Sequence, residues 1–169
     1  VLLVLLDLST AFDTIEYGVQ LSRLEKHLGI SGNVLKWVHS YLNNRFTQVH
    51  IDGFFSEARP LSYGLPQGSV VGPLMYVIYT LPIGGIIRKY GLNYHLYADD
   101  TQILTSFNPK EPGALDEALR KLELCISELN NWMCLNKLKL NSNKTDFFVA
   151  GTMQTLSTLR PIELKVGEW

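Results

Sequence analysis

The chain has 169 residues, 46% of them hydrophobic, which is enough to bury a real core, so one folded globular domain is expected and disorder is disfavoured. Its 15 basic and 16 acidic residues leave a formal net charge of −1, which argues against a freestanding nucleic-acid binder held by a broad basic surface. Cys125 and Cys134 have no CxxC spacing and no neighbouring His pair, so zinc and a disulfide are disfavoured and two core thiols in a reducing compartment are expected.

The sequence opens on an aliphatic run, Val1 to Leu6, that ends at Asp7. The run is too short for the apolar region of a signal peptide and reads as a strand covered on both faces, cut at its start, with Asp7 at its mouth. Leu21, Leu24 and Leu28 carry helical spacing up to Gly29, and Ser31 suits the cap of a second helix with Leu35, Val38 and Leu42 inward. Thr47 to Ile51 and Phe54 to Tyr63 flank Asp52-Gly53 as a hairpin, followed by a loop, Gly64-Leu65-Pro66-Gln67-Gly68-Ser69.

Ser69 is a plausible cap for an apolar helix to about Tyr79, and Pro82 ends or bends it. No residue from Leu61 to Ile87 is charged, but Pro66, Gln67, Pro73, Pro82 and Gly84-Gly85 favour buried core over a spanning helix. Tyr94 to Ala98 and Thr101 to Thr105 read as a hairpin with Asp99-Asp100 at its tip. Leu115, Leu119, Leu122, Ile126, Leu129 and Met133 mark a long amphipathic helix, and Asp146 to Ala150 returns to strand character. The order predicts an α+β fold, a mostly antiparallel sheet backed by helices.

Asp7 and Asp99-Asp100 each follow an otherwise apolar strand, where an unpaired carboxylate is costly to bury. If the first strand lies beside the hairpin, Asp7 and Asp99 converge, and strand alternation places Tyr97 on the face of Asp99. Carboxylates without His or Cys partners suit magnesium, and two ions about 3.5–4 Å apart would activate a hydroxyl and neutralise a leaving phosphate. Taken alone, an Asp-Asp pair in a turn has an equally ordinary explanation in local backbone hydrogen bonds. The glycine-containing loop before a helix offers open amides to an anion, a weak signal by itself. His27, His39, His50 and His95 have no partner at ligand spacing and are read as structural; Trp37 and Trp132 are read as core. Arg45, Lys137 and Lys139 are candidates for phosphate contacts, although isolated basic side chains are usually solvated surface.

Tyr97-Ala98-Asp99-Asp100 resembles the central motif of reverse transcriptases. Three further segments resemble the same family in the right order: Leu6-Asp7-Leu8-Ser9-Thr10-Ala11-Phe12-Asp13-Thr14, Gly64-Leu65-Pro66-Gln67-Gly68-Ser69 and Leu140-Asn141-Ser142-Asn143-Lys144-Thr145. The wording is similar to that of LINE-type non-LTR retrotransposons, and Trp37 to Leu42, Gly72-Pro73-Leu74 and Asn131-Trp132-Met133 extend the likeness over nearly the whole chain.

The resemblance implies a polymerase palm with part of the fingers over residues 1–169, truncated at both ends and lacking most of the fingers and the thumb. It implies that Asp7, Asp99 and the Leu8 carbonyl hold two Mg²⁺ ions, with Mn²⁺ as a substitute, and that Asp100 completes the acidic cluster. Phe12 would be the steric gate against a ribose 2′-hydroxyl; Pro66, Gln67 and Gly68 would line the nucleotide; Lys144 would protonate the pyrophosphate. Asp13 and Asn141 also belong to the matching motifs, though Asp13 has the ordinary reading of a bond to nearby backbone. The implied partners are an RNA template, a DNA primer and a deoxynucleoside triphosphate, with no membrane, in the nucleus and cytoplasm. The rival readings are an inactive, truncated or decayed copy and the palm of an RNA-templated RNA polymerase. Without fingers and thumb, this stretch is not expected to polymerise alone.

Overall fold

The computed structural model describes residues 1–159, 162 and 164, so the last stretch of the expected domain, 165–169, lies outside the described residues. In chain order the elements are β1 (Leu2–Leu6), α1 (Tyr17–Lys26), α2 (Gly32–Leu42), β2 (Arg45–Thr47), β3 (His50–Ile51), β4 (Phe54–Phe55), β5 (Arg59–Leu61) and α3 (Gly72–Thr80). They continue with α4 (Pro82–Lys89), β6 (Asn93–Tyr97), β7 (Asp100–Thr105), α5 (Ala114–Leu135), β8 (Asp146–Val149) and α6 (Met153–Thr158). Two compact units result, one formed by Val1–Ser9 with Leu81–Trp169 and one by Thr10–Thr80.

The first unit is built on a four-stranded antiparallel sheet in the order β6-β7-β1-β8, which bears out the expected α+β class. The aliphatic run forms β1 because both its edges find partners: Leu6 pairs with Thr101 of β7, and Leu5 with Asp146 of β8. Its Leu2, Val4 and Leu6 are buried, whereas Leu3 and Leu5 are half-buried. The strand is therefore sealed on one face and partly open on the other, not covered on both as its unbroken apolarity predicts. That half-open face is where Asp7 belongs by alternation.

Helix α5 follows its predicted stripe, burying Leu119, Leu122, Ile126, Leu129 and Met133, and packs against α4, which in turn packs on β6. Full burial of each such side chain is worth about 1.5–3 kcal/mol. Cys125 joins this core and Cys134 does not; the exposed Cys134 corrects the expectation of two core thiols, since nine residues at helical pitch do not return to one face. Lys89 and Tyr90 both bond to the Glu128 carboxylate, at 2.6 and 2.5 Å, fastening the end of α4 to α5.

The second unit holds α1, α2 and α3 with two short two-stranded pairs, β2 with β5 and β3 with β4. Asp52 and Gly53 both take positive φ at the hairpin tip, the turn expected of that dipeptide. Ser69 does cap α3: its Oγ accepts from the Gly72 amide at 3.0 Å. Two details depart from the periodicity. Helix α1 buries Tyr17, Gln20, Arg23 and Leu24, while Leu28 lies exposed beyond its end. Trp37 is 52% exposed and stacks on Tyr41, so it is not core: α2 is fixed by Val38 and Leu42 on its other side. Among the described residues no helix is long and apolar enough to cross a membrane.

The two cysteines allow a direct check of the first unit. Burial pushes the Cys125 thiol up to about 12, and only a thiolate reacts with a thiol reagent. One equivalent, at Cys134, is expected to react in native buffer at neutral pH and the second only in denaturant, counted by mass spectrometry; two fast native equivalents would contradict this packing.

Candidate active site

In the first unit, the register Leu6 to Thr101 continues by one step to bring Asp7 opposite Asp100. Leu5, Gln102 and Asp146 share this half-open face, and the two acids with these three residues line a groove of about 430 Å³ whose wall also includes Asn143 and Lys144. Asp7 is mostly shielded, its side chain 19% exposed.

The carboxylate of Asp7 is held from a third direction. Residues 7–9 pair with 139–141 beyond the end of the sheet: the Asn141 amide donates to the Asp7 carbonyl at 2.9 Å, and the Ser9 amide to the Lys139 carbonyl at 2.9 Å. Leu8 sits in this pairing opposite Leu140 and is buried. The backbone match aims the Asn141 side chain at the acid, and its Nδ2 donates to Asp7 Oδ2 at 3.2 Å. A 3-10 turn over Ser142–Lys144 follows, closed by the Lys144 amide on the Asn141 carbonyl, and brings Lys144 Nζ to 3.7 Å from the same Oδ2. With Lys144 70% exposed, that ion pair contributes little to stability; its interest is its place.

The acidic hairpin differs from its expected form in one respect. Tyr97 pairs with Asp100, so the two-residue tip is Ala98-Asp99 and not Asp99-Asp100. Ala98 takes φ +52, the left-handed region, which costs a non-glycine residue about 1–2 kcal/mol. Strand alternation therefore stops at Tyr97 and does not govern Asp99, which stands on the turn while Asp100 is the acid brought into the groove with Asp7. Tyr97 is 72% exposed, and His95, two residues earlier, is exposed as well.

In the second unit, Phe12, Pro66, Gln67 and Gly68 come together, lining a recess of about 440 Å³ with Ser69 and Pro73. Phe12 stacks on Tyr76 with ring centroids 4.9 Å apart and planes 11° from parallel, which fixes the ring's orientation. The loop is locked to the segment that carries Phe12. The Leu65 amide donates to the Phe12 carbonyl at 2.8 Å and the Gly64 amide to the Ile15 carbonyl at 2.9 Å. Gly64 is required there: its φ is +87, and a Cβ would lie 3.1 Å from the Asp13 carbonyl oxygen. The Arg45 guanidinium donates to the Gly64 carbonyl at 2.9 Å and to the Tyr17 hydroxyl at 3.3 Å. Arg45, a candidate for phosphate contact by sequence, is thus engaged in holding the loop. Burial raises the Tyr17 hydroxyl above its ordinary value, so it stays protonated and donates to the Tyr63 and Gly64 carbonyls.

Sequence reading missed Asp146 and Gln102 as groove residues. Only cross-strand register reveals them, because Asp146 reaches this face through its pairing with Leu5. Among the described residues no three His, Cys, Asp or Glu side chains form a ready-made metal cage. The donor set nonetheless fits magnesium, which is commonly held by one or two carboxylates with waters and substrate phosphates completing its shell. Asp7 and Asp100 offer hard oxygen donors side by side, with Asp99 adjacent and no soft ligand nearby.

Comparison with known proteins bears on the whole of this arrangement. The family model described as "Reverse transcriptase (RNA-dependent DNA polymerase)" matches residues 1–162. The chain is 34% identical over 169 residues to the probable RNA-directed DNA polymerase from transposon BS of Drosophila melanogaster, covering 96% of this chain and 18% of that protein. It is 36% identical over 74 residues to the RNA-directed DNA polymerase from mobile element jockey of the same fly, covering 40% of this chain and 8% of the relative. The chain thus spans less than a fifth of the length of either relative. In fold it is similar to apo telomerase from Candida tropicalis, with TM-score 0.65 at 15% identity over 89% of this chain and 31% of the other. Telomerase from Candida albicans in complex with a fragment of telomeric RNA gives TM-score 0.64 at 12% identity over 97% of this chain and 29% of the other. From the match over residues 1–162 and the likeness to the transposon polymerases, the chain belongs to the reverse transcriptase family, among its LINE-type non-LTR members.

Proposed function

We propose that this chain is the palm region, with part of the fingers, of an RNA-directed DNA polymerase that extends a DNA 3′ end on an RNA template, using deoxynucleoside triphosphates. The observation that carries the reading is the meeting of Asp7 and Asp100 on one face of neighbouring strands, beside Asp99, in a chain of this family. Asp7, Asp99, Asp100 and the Leu8 carbonyl would hold two Mg²⁺ ions, or Mn²⁺ in their place. When bound, the ions lower the pKa of the attacking hydroxyl and neutralise charge on the phosphates.

The protein's own part is positioning. Asn141 donates to Asp7 Oδ2, and Lys144, on the same oxygen, carries a proton suited to the departing pyrophosphate. In the second unit, the Phe12 ring, held flat on Tyr76, serves as the gate that rejects a 2′-hydroxyl, and Pro66, Gln67 and Gly68 line the nucleotide recess.

Two measurements test it in primer extension by the intact protein that carries this chain. Removing charge stabilisation worth several kcal/mol predicts that Asp7→Asn and Asp99→Asn each lower kcat by about a hundredfold or more, with folding retained by circular dichroism. Extension left unchanged by Asp99→Asn refutes the metal assignment. Phe12→Val is expected to raise ribonucleotide use relative to deoxynucleotide use; no change in that ratio removes the gate. A wild-type preference for ribonucleotides would instead indicate an RNA polymerase palm.

A further inference from the structure

Asp13 has no role in the reading above, yet its side chain bonds to Gln67 in the nucleotide recess. Gln67 Nε2 donates to Asp13 Oδ1 at 2.9 Å, across 54 residues of sequence. The bond does not stand alone. Asp13 is held at its own backbone, where its amide donates to the Thr10 carbonyl at 2.9 Å, and Gly64 approaches so closely that a Cβ there would come within 3.2 Å of the Asp13 Cα. The loop that carries Gln67 is bolted to the same segment through the Leu65 and Gly64 amides. The backbone at both ends of the bond is therefore held, and the bond, although solvent-exposed, orients the side-chain amide of Gln67. Left untethered, an exposed glutamine samples several rotamers, and ordering it on a ligand costs about 0.5–1.5 kcal/mol.

We propose that Asp13 is a positioning residue, which presets the Gln67 carboxamide for the nucleotide by taking one Nε2 hydrogen on its carboxylate. The bond also settles which way the amide points: Nε2 faces Asp13, so Oε1 is the end left for an incoming donor, such as a sugar hydroxyl or a base amine. The proposal rests on the reading that the recess of Phe12, Pro66, Gln67 and Gly68 receives the nucleotide. It goes beyond that reading because it assigns work to a residue that faces Gln67 and not the substrate. What is required of position 13 is an acceptor oxygen, not a negative charge.

The test is steady-state primer extension by the intact protein, with Asp13→Ala, Asp13→Asn, Gln67→Ala and the Asp13→Ala/Gln67→Ala double variant. Asp13→Ala is expected to raise the deoxynucleotide KM roughly 3- to 10-fold, the loss that one hydrogen bond carries, with kcat within about twofold. Asp13→Asn keeps an Oδ1 acceptor and is expected to behave as wild type. The double variant is expected to be no worse than Gln67→Ala alone, since the two side chains act as one unit.

An Asp13→Asn variant as impaired as Asp13→Ala overturns the proposal, because the charge itself would then be needed. Additive effects in the double variant, or an unchanged KM in Asp13→Ala while Gln67→Ala raises it, overturn it too and leave the nucleotide recess standing. If Gln67→Ala itself leaves KM unchanged, the recess reading fails and the proposal falls with it. Nuclear magnetic resonance of the labelled chain reads the bond without reference to activity. The Gln67 side-chain amide is expected to shift and to exchange faster in Asp13→Ala but not in Asp13→Asn; an amide unmoved in both is a contrary result.

Discussion

The alternation of β1 is the constraint on which the first unit depends. The strand is hydrogen-bonded on both edges, to β7 and to β8, and it sends Leu2, Val4 and Leu6 into the core. Because strand side chains alternate with period two, burying Leu6 turns Asp7 to the opposite, half-open face. A slip of one residue would exchange the faces and bury an unpaired carboxylate, at a cost of several kcal/mol. The apolar core and the acidic groove are thus two consequences of one register, and the core's preference for its aliphatic side chains is also what aims the acid.

A second regularity concerns how each candidate site is held. Neither relies on its functional side chains to stabilise it. In the first unit, backbone pairing of 7–9 with 139–141 presents Asn141 and Lys144 to Asp7. In the second, the Leu65 and Gly64 amides fasten the loop to the segment of Phe12, helped by Arg45 and Tyr17. Backbone hydrogen bonds are obligatory and insensitive to side-chain identity, so they give a rigid frame on which polar groups remain available to a ligand. The left-handed Ala98 and the positive φ of Gly64 are two of the places where that frame turns sharply. A non-glycine residue in that region is strained, and such strain is commonly found at functional turns.

Much of this was legible in the chain itself, for identifiable reasons. The α5 stripe, the Asp52-Gly53 turn, the Ser69 cap and the strand character of residues 2–6 each depend on neighbours within a few positions, where period and turn chemistry act. The grouping of Phe12 with Pro66, Gln67 and Gly68 followed from motif resemblance and is what the recess contains. The exposure of Cys134 follows from its nine-residue spacing from buried Cys125 at helical pitch, but that of Trp37 was not legible, because an aromatic residue on a helix says nothing about which face its neighbours leave uncovered. Nor was the capture of Arg45 by a carbonyl nineteen residues away.

The sequence by itself determined the family, the α+β class, most of the main strands and helices, and the identity of the acids, since all of these reside in local pattern and motif. Tertiary structure decided which acids meet. It brought Asp100 rather than Asp99 into the groove with Asp7, added Asp146 and Gln102 to the same wall, and gave Asp13 a side-chain partner in Gln67. The physical reason is common to all three. Cross-strand register and loop closure are long-range conditions, set by how hydrogen-bonded edges and buried faces are satisfied together, and no single segment contains them.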